Sequence, residues 1–477
     1  MKKFLAMMLA LCMVFALCAC GQSAAPAAAP AAEAAPAAEA APAEEAAPAE
    51  EAPAEEASDK IVINLYAFTD EVPTMLKKYL EINPDFAAKY DIKETIIATT
   101  DGLYQPALDQ ALANGEVDMY VAEAAFILKY AQGDMADYAA AYEDLGIDVA
   151  GGLESAQIAQ YTVDIGTRPS DGKLVGLGYQ ANGGCFIYRA SIAEEVFGSS
   201  DPAVVEEAIG AGTGDWVKFK EAAAKLADKG YAIVSGDGDV WHAVENSSDQ
   251  GWIVDGKLTI DPKREAFLDL SKELTDNSWS HKSVDWQEQW FADMKKDGGV
   301  FGFYGPAWLI NYTIAPNSGE GDEASAGDWR VCAPNIGFFW GGSWLMASKD
   351  VIGTEKAAGV AELLNWVTLD GTEDGLQYHW ANGDLYGDGG TKDCVASATA
   401  LGLADGSMEF LGGQNAFEAF VPACAYANGK NLTQYDEGIN SIWRDATRQY
   451  VGGQCTRDEA IALFKQQVGD QFDVEVE

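Results

Sequence analysis

The segment KIVINLYAF, from Lys60 to Phe68, is an apolar run rich in β-branched residues, and this composition predicts a buried strand. The apolar side chains that follow it share the spacing of one helix face: Val72, Met75, Leu76, Tyr79 and Leu80. The alternation then repeats, with strands predicted over residues 92–98 and 117–121 and a helix between them. Strands separated by helices of about ten residues predict right-handed βαβ units and a mainly parallel sheet, so we expect an α/β fold.

The pattern continues through the rest of the chain. Further strands are predicted near residues 232–235 and 300–304, and helices over 216–229 and 434–468, the last with a break at Gly452-Gly453. Residues 59–477 are long enough to form two lobes with a large core.

Acidic residues follow the predicted strands of the first βαβ units. Ligands of such sheets bind beyond the carboxyl ends of the strands, so these carboxylates are candidate ligand contacts. They are Asp70, Glu71, Asp101 and Glu123. The alternative, that these loop acids are simply solvated, stays open at this point.

The amino terminus predicts export and attachment to a membrane. Lys2 and Lys3 precede an apolar run that is too short for a comfortable membrane span, which is typical of a signal peptide over residues 1–20. Its end, Leu17-Cys18-Ala19-Cys20, resembles the lipobox of bacterial lipoproteins, so Cys20 is the predicted lipidation site. A diacylglyceryl cysteine supplies two acyl chains and anchors stably. An ordinary signal peptide rich in cysteine is the alternative.

Composition separates a linker from the folded part. Residues 21–58 are almost entirely Ala, Pro and Glu, without a large apolar side chain, and are expected to be disordered. The two lysines of the signal peptide and eight linker glutamates leave −38 of the net charge of −44 on residues 59–477. Such acidity argues against nucleic acid and anionic substrates as partners, and permits a neutral ligand or a cation.

Cysteine and histidine give no sign of a metal site. The five cysteines after the linker are far apart and form no CxxC pair: Cys185, Cys332, Cys394, Cys424 and Cys455. We expect buried free thiols, with one disulfide as the alternative. Residues 382–393 match a calcium loop only loosely, because Tyr386 stands where an oxygen ligand belongs, and a glycine-rich turn is expected there. No metal or cofactor is predicted.

All 13 tryptophans lie between Trp216 and Trp443. Several of them stand beside Gly or Pro where a strand is predicted to end, and an indole exposed at such a place can stack on the apolar face of a sugar ring. The candidates are Trp241, Trp308, Trp340 and Trp344. Burial in the core is the alternative for each.

Four segments resemble the family 1 extracellular solute-binding proteins, the carbohydrate-binding subunits of ABC importers. They are DGKLVGLGYQANGGCFIYR (171–189), FGFYGPAWL (301–309), GFFWGGSWL (337–345) and FLGGQN (410–415). The resemblance covers Asp59 to about Val468. It implies a periplasmic-binding-protein-like fold with a central cleft between two discontinuous lobes. Lobe 1 would comprise about 59–179 and 336–395, and lobe 2 about 180–335 and 396–477.

The resemblance also implies a binding site. In the family, the turns after the first and third strands give polar contacts to the ligand, which makes Asp70, Glu71 and Glu123 candidates here. The first crossing between the lobes adds Gln180 and Asn182. Trp308 matches a position where the family commonly stacks an aromatic ring on the sugar. Trp241, Trp340 and Trp344 are plausible partners.

The implied function is that of a monomeric, non-catalytic receptor. It would be lipid-anchored at the extracellular face of the bacterial membrane, bind a sugar or oligosaccharide, and deliver it to an ABC permease. Two alternatives remain. The same fold could bind a polyamine or another cation through cation–π contacts and carboxylates, or the chain could be a secreted glycoside hydrolase, which needs two carboxylates at a fixed separation.

Overall fold

The computed structural model describes residues 60–99, 102–387 and 390–476. The predicted signal peptide with Cys20, the predicted linker and the candidate ligand contact Asp101 lie outside the described residues. In the described part, no helix is long and apolar enough to cross a membrane.

The strands form two main sheets and two short hairpins. In chain order the strands are β1 (Ile61–Ala67), β2 (Tyr90–Ile96), β3 (Met119–Glu123), β4 (Gly176–Gly178), β5 (Cys185–Arg189), β6 (Ile253–Val254), β7 (Lys257–Leu258), β8 (Gly302–Gly305), β9 (Trp329–Cys332), β10 (Ser343–Ala347), β11 (Ser407–Met408) and β12 (Gln414–Asn415).

The first sheet has the order β2-β1-β3-β10-β4. β1 pairs in parallel with β2, from Ile61 opposite Tyr90, and with β3, where Leu65 lies opposite Met119. β10 runs antiparallel to β3 and β4. The predicted βαβ units of the first segment are confirmed, since the strands at 61–67, 90–96 and 119–123 alternate with helices.

The second sheet corrects the expectation of a mainly parallel sheet. Its order is β8-β5-β9, and β5 is antiparallel to both neighbours. The strand predicted near 232–235 forms only isolated parallel bridges, in which Ala232 pairs with Val300 and Val234 with Ser280. Because the partners of β5 come from far along the chain, the local alternation of helices and strands does not determine their direction.

Helices cover the sheets and make up most of the ordered structure. The α-helices are Glu71–Ile82, Pro84–Lys89, Tyr104–Asn114, Ile127–Ala131, Val149–Ala156, Gln160–Gly166, Ala190–Phe197, Pro202–Ile209, Val217–Ala227, Asp237–Glu245, Pro262–Asp276, Glu288–Ala292, Ala307–Leu309, Ala315–Asn317, Ala357–Thr368, Leu376–Asn382, Ala398–Leu403, Phe417–Cys424, Asp436–Val451 and Arg457–Gln471. A π-helical turn, Ile310–Ile314, lies within the run 307–317.

The break predicted in the last helical segment is confirmed. Gly453 has a φ of 70°, in the left-handed region that glycine tolerates best. The next helix starts with a capping box, in which Thr456 Oγ1 accepts from the backbone N–H of Glu459 and the Glu459 carboxylate accepts from the Thr456 N–H. This reciprocal capping satisfies N–H groups that a helix start leaves free.

Two chain segments connect the sheets. The first lies between β4 and β5 and contains Gln180 and Asn182, and the second lies between β9 and β10 and contains Trp340. A third segment meets the first, because Gln180 and Val395 form an antiparallel bridge. The lobe boundaries that the family resemblance implies stay a prediction.

The five cysteines of the described part are free thiols. Cys185, Cys332 and Cys394 are buried, as expected, whereas Cys424 and Cys455 are half-buried. The core around the second sheet includes the last two helices, through side chains such as Trp443 and Phe464.

Candidate functional site

A cavity of about 340 Å³ lies where the end of β3 faces helices packed on the second sheet. Glu123, the last residue of β3, lines it from one side. Trp241, His242 and Glu245 of the helix Asp237–Glu245 and the start of the helix Asp436–Val451 line the other. The second crossing contributes Phe339, Trp340 and Gly341. The cavity thus lies at the carboxyl end of a parallel strand, where ligands of such sheets bind.

Glu123 is half-buried and partly satisfied by the backbone. Its Oε2 accepts from the N–H of Ala125 at 2.8 Å. Burial raises the pKa of Glu123 to about 7, and the carboxylates of Glu437 and Glu245 add to the rise. A carboxyl with a pKa near 7 carries only part of its charge at neutral pH, so it can accept a hydrogen bond from a ligand without a protein cation beside it.

Two more acids face the cavity from the helix Asp436–Val451. Burial raises the pKa of Asp436 to about 6, although Thr433 Oγ1 donates to its Oδ1 at 2.6 Å. Partial burial and the neighbouring Glu245 raise the pKa of Glu437 to about 7. Arg444 on the same helix is paired with Asp285 at 3.1 Å. The lining is therefore acidic on both sides.

Three tryptophans form a cluster beside this cavity. The indole N–H of Trp308 donates to the carbonyl oxygen of Trp340 at 3.1 Å, and their ring centroids are 4.7 Å apart in an edge-to-face arrangement. The ring of Trp286 lies nearly parallel to Trp308, with centroids 6.2 Å apart and an angle of 9° between the planes. The cluster touches the cavity through Trp340, which stacks on His242 with centroids 3.5 Å apart.

Trp286 is held in an unusual backbone conformation. Its φ is 66°, which is rare for a bulky residue, and its side chain remains 47% exposed. Such strain persists only where the surrounding structure enforces it, and it is concentrated at functional sites. An exposed indole next to Trp308 provides an apolar face on which a ring could stack.

A second group of polar side chains surrounds the first crossing. Tyr179 donates through its hydroxyl to the Glu71 carboxylate, and burial is the main cause of the raised pKa of Glu71. Gln180 donates to Asp393 Oδ2 at 3.3 Å. Asp393 is fully buried, and this burial raises its pKa to about 7.

Two exposed tyrosines lie near this second group. Tyr312 is 49% exposed and Tyr386 is 53% exposed. Burial raises the pKa of Tyr386 to about 12, and nearby Glu71 and Asp70 add to the rise. Glu71 and Asp393 also raise the pKa of Tyr312, after partial burial. Because Tyr312 lies one turn after Trp308, within the π-helical turn, this helical run connects the two groups.

Asn182 lies between the two groups with an unsatisfied side chain. It is 1% exposed, and neither its Nδ2 nor its Oδ1 has a hydrogen-bond partner. Its backbone carbonyl accepts from the N–H of Trp340 at 3.1 Å. A Cβ at Gly342 would come within 2.5 Å of Nδ2, and φ there is 122°, so glycine leaves the space that the amide occupies.

The structure brings together only some of the predicted contacts. Glu123 and Trp340 line the cavity, and Trp308 packs against Trp340. Glu71, Gln180 and the exposed Asp70 belong to the second group.

Two of the predicted tryptophans are core residues. Trp241 contributes to the cavity wall, yet it is 1% exposed and packs on Phe267. Trp344 is equally buried and is not part of the cavity lining, and its indole N–H donates to the Thr162 carbonyl oxygen. The strand position of Trp344 in β10 explains this burial, since its side chain points into the helices below the first sheet.

Sequence reasoning missed several residues around the site: Trp286, Tyr312, Tyr386, His242, Asp436 and Glu437. Tyr312 could have been found from its spacing of one turn after Trp308. Asp436 and Glu437 gave no local signal, because an acidic first turn is ordinary at a helix start and only the fold brings them opposite Glu123. The part of the chain that the structure describes contains no group of three or more His, Cys, Asp or Glu that could hold a metal ion.

Comparison with known proteins assigns the family. Residues 82–400 match the model of the bacterial extracellular solute-binding protein family, and the chain belongs to that family. No curated protein matches the chain. The family and the fold are those of solute-binding proteins, which are not enzymes.

Solved structures with the same two-lobed fold have low sequence identity to this chain. A protein described as an extracellular solute-binding protein of family 1 has a TM-score of 0.68 and 19% identity, over 86% of this chain and 99% of that one. The galacto-N-biose-/lacto-N-biose I-binding protein of an ABC transporter from Bifidobacterium longum, in complex with lacto-N-biose, has a TM-score of 0.62 and 17% identity, over 89% and 100%. The sugar-binding protein MalE from Xanthomonas citri has a TM-score of 0.64 and 15% identity, over 86% and 97%. The expected family resemblance and the two-lobed α/β fold are thereby confirmed.

Proposed function

We propose that this protein is a non-catalytic receptor that binds a sugar or oligosaccharide between its two lobes. The observation that carries the proposal is the cluster of Trp286, Trp308 and Trp340 beside the Glu123 carboxylate. Pyranose rings combine an apolar C–H face with hydroxyl donors, and this arrangement offers an aromatic surface and an acceptor for them.

The extent of the site supports a ligand longer than one ring. Trp308 belongs to the tryptophan cluster, and Tyr312 stands one helical turn further on, over Glu71 and Asp393. An oligosaccharide could stack on Trp308 and Tyr312 in turn, with Asn182 between the two groups. One similar structure holds the disaccharide lacto-N-biose, which agrees with a ligand of this size.

The receptor would act outside the cell, on a tether. We propose that Cys20 carries the lipid, that the acidic linker separates the folded part from the membrane, and that the closed form docks on the permease of an ABC importer. The family is extracellular, which is consistent with this location.

A thermal-shift screen against mono- and oligosaccharides tests the proposal. A tight ligand raises the melting temperature by mass action, and calorimetric titration then measures its affinity. Matched incubations should yield no new reducing ends, because a receptor does not cleave its ligand. Cleavage of the bound oligosaccharide would instead support a glycoside hydrolase.

A receptor for a free cation is the second candidate, and the acidic lining of the cavity is the observation in its favour. Polyamines therefore belong in the same screen. Stabilisation by spermidine with no response to any sugar, and an affinity that falls steeply with salt, would replace the sugar receptor by a polyamine receptor.

A further inference from the structure

We propose that the acidic cavity binds a protonated amino group of the sugar, so that the preferred ligand contains an amino sugar. This inference rests on the proposed function and narrows its substrate class. The cavity would hold the ammonium group while the neighbouring tryptophans hold the sugar ring.

The first observation is an excess of carboxylates contributed by three separate elements. Glu123 comes from β3, and Glu245 from the end of the helix Asp237–Glu245. Asp436 and Glu437 come from the start of the helix Asp436–Val451. Like charges gathered around a cavity of about 340 Å³ repel one another, and a cation between them relieves the repulsion.

The two arginines that line the cavity already form ion pairs with other side chains. Arg444 pairs with Asp285 at 3.1 Å, and Arg448 pairs with Asp445 at 2.7 Å. Among the ion pairs of the described residues, none joins Glu123 or Glu437 to a Lys or Arg. Arg444 favours the ionised form of Glu437 from a distance, but both carboxylates are left without an ion-pair partner and can bind a positive group of the ligand.

The second, independent observation is a buried side chain without a hydrogen bond. His242 lines the cavity and is 7% exposed, and neither of its ring nitrogens has a hydrogen-bond partner. The nearest carboxylate oxygens, of Glu245 and Asp285, are 3.6 Å and 3.8 Å away. A buried polar atom without a hydrogen-bond partner is costly, so the ring favours a ligand group that can bond to it.

The Asp436 carboxyl also has a buried atom without a hydrogen-bond partner. Its Oδ2 is buried without a partner, while its Oδ1 is satisfied by Thr433. An ammonium group carries three donors, which suits an imidazole nitrogen and two carboxylate oxygens. A hydroxyl group donates only one hydrogen bond and leaves the charge unbalanced.

The position of Trp340 argues for an amine attached to a sugar over a free polyamine. Trp340 stacks on His242 at the cavity and also contacts Trp308. A ring on this indole cluster would place a substituent on its edge within the acidic cavity. A linear polyamine would fill the cavity and leave the exposed faces of the tryptophan cluster unused.

Matched sugar pairs test the inference on the full-length mature protein at pH 7 and low salt. Glucose, galactose and mannose are compared by thermal shift and calorimetry with the 2-amino sugar of the same configuration. Cellobiose is compared in the same way with its di-amino and its di-N-acetylamino counterparts. We expect at least one amine to bind ten times or more as tightly as its hydroxyl partner, and N-acetylation to abolish that advantage.

A variant locates the effect in the cavity. Glu437→Gln should lower the ratio of amine to hydroxyl affinity at least tenfold, because a bound ammonium group stabilises the ionised carboxyl and an amide of the same shape cannot ionise. Gln has nearly the size and shape of Glu, so the variant should fold normally. Glu154→Gln, at an exposed position on the helix Val149–Ala156 outside the cavity lining, is the matched control and should leave the ratio unchanged.

The remaining outcomes separate the inference from the proposed function. If neutral sugars bind and no amine binds better than its hydroxyl partner, the inference is wrong and the sugar receptor stands. An amine preference that survives Glu437→Gln with its full magnitude would also overturn the inference. If no sugar of either kind binds, both the inference and the proposed sugar receptor are wrong.

Discussion

At the scale of single residues, Trp308 is the side chain whose role is most directly measurable. It is half-buried, and its indole N–H is held by the Trp340 carbonyl oxygen. We expect Trp308→Ala to weaken sugar binding by about 30-fold, since losing a stacked aromatic anchor costs about 2 kcal/mol or more. The melting temperature should change little. Calorimetric titration and thermal unfolding of the same preparation measure the two effects.

Trp344 is the matched control for this substitution. It is fully buried in the core, so Trp344→Ala should cost about 3–5 kcal/mol of unfolding free energy. Normal affinity in a well-folded Trp308→Ala protein would remove Trp308 from the site. An unfolded variant would make it a core residue.

Asp393 makes stability depend on pH. Its pKa is about 7 in the folded protein against an ordinary value of 3.8, because the carboxyl is buried. Between these values the folded state keeps a proton that the unfolded chain releases, so stability falls as pH rises from about 4 to 7. The loss for this residue alone is on the order of 4 kcal/mol. Asp393→Asn mimics the protonated form and should flatten the pH profile of the melting temperature.

The exposed acid Asp91 provides the control for this measurement. Asp91→Asn should keep the slope of the unsubstituted protein, because its side chain remains in water. A profile of Asp393→Asn that is as steep as that of the parent protein would show that Asp393 is ionised throughout.

Residue-level prediction from the sequence succeeded where the signal is local. Glu123 could be placed at a strand end because the apolar run before it defines β3. Trp286 could not be found, since its positive φ and its stacking on Trp308 depend on tertiary contacts. Trp344 shows the converse problem, because a tryptophan beside glycines looks the same in sequence whether its side chain faces the cleft or the core.

At the scale of elements, the crossing between β4 and β5 is tightly packed against the second crossing. A Cβ at Gly184 would come within 1.9 Å of the Phe338 ring, which is itself fully buried. We expect Gly184→Ala to lower the free energy of unfolding by about 3 kcal/mol, the upper end of the usual cost of overpacking. Chemical denaturation measures the change.

Gly402 is the control for a glycine without such contacts. It lies in the helix Ala398–Leu403, and a Cβ there would meet nothing within 4 Å. Gly402→Ala should therefore stabilise the protein by about 0.5–1 kcal/mol, because alanine loses less entropy in a helix. Equal effects of the two substitutions would contradict the packing described for the crossing.

The elements themselves were largely predictable, and their pairing was not. The period of the apolar residues locates the helix Glu71–Ile82 and the strands on either side of it within about two residues. The antiparallel direction of β8 and β9 relative to β5 depends on residues more than a hundred positions apart. No local pattern encodes that contact.

At the scale of the whole molecule, attachment to the membrane should depend on Cys20. Cys20 ends the predicted signal peptide and is the proposed lipidation site, so we expect Cys20→Ala to release the protein or leave it unprocessed. Fractionation with labelled fatty acid checks this. A Cys20→Ala protein that is still lipid-labelled and bound to the membrane would exclude this lipidation site.

Binding of a sugar between two lobes that close on it is the central claim of the proposed function, and small-angle scattering tests it most directly. With the sugar identified by the screen at a saturating concentration, confirmed by calorimetry, the radius of gyration should fall below that of the free protein, because the lobes close around the ligand. An unchanged radius of gyration with the site fully occupied would contradict closure and indicate a rigid site.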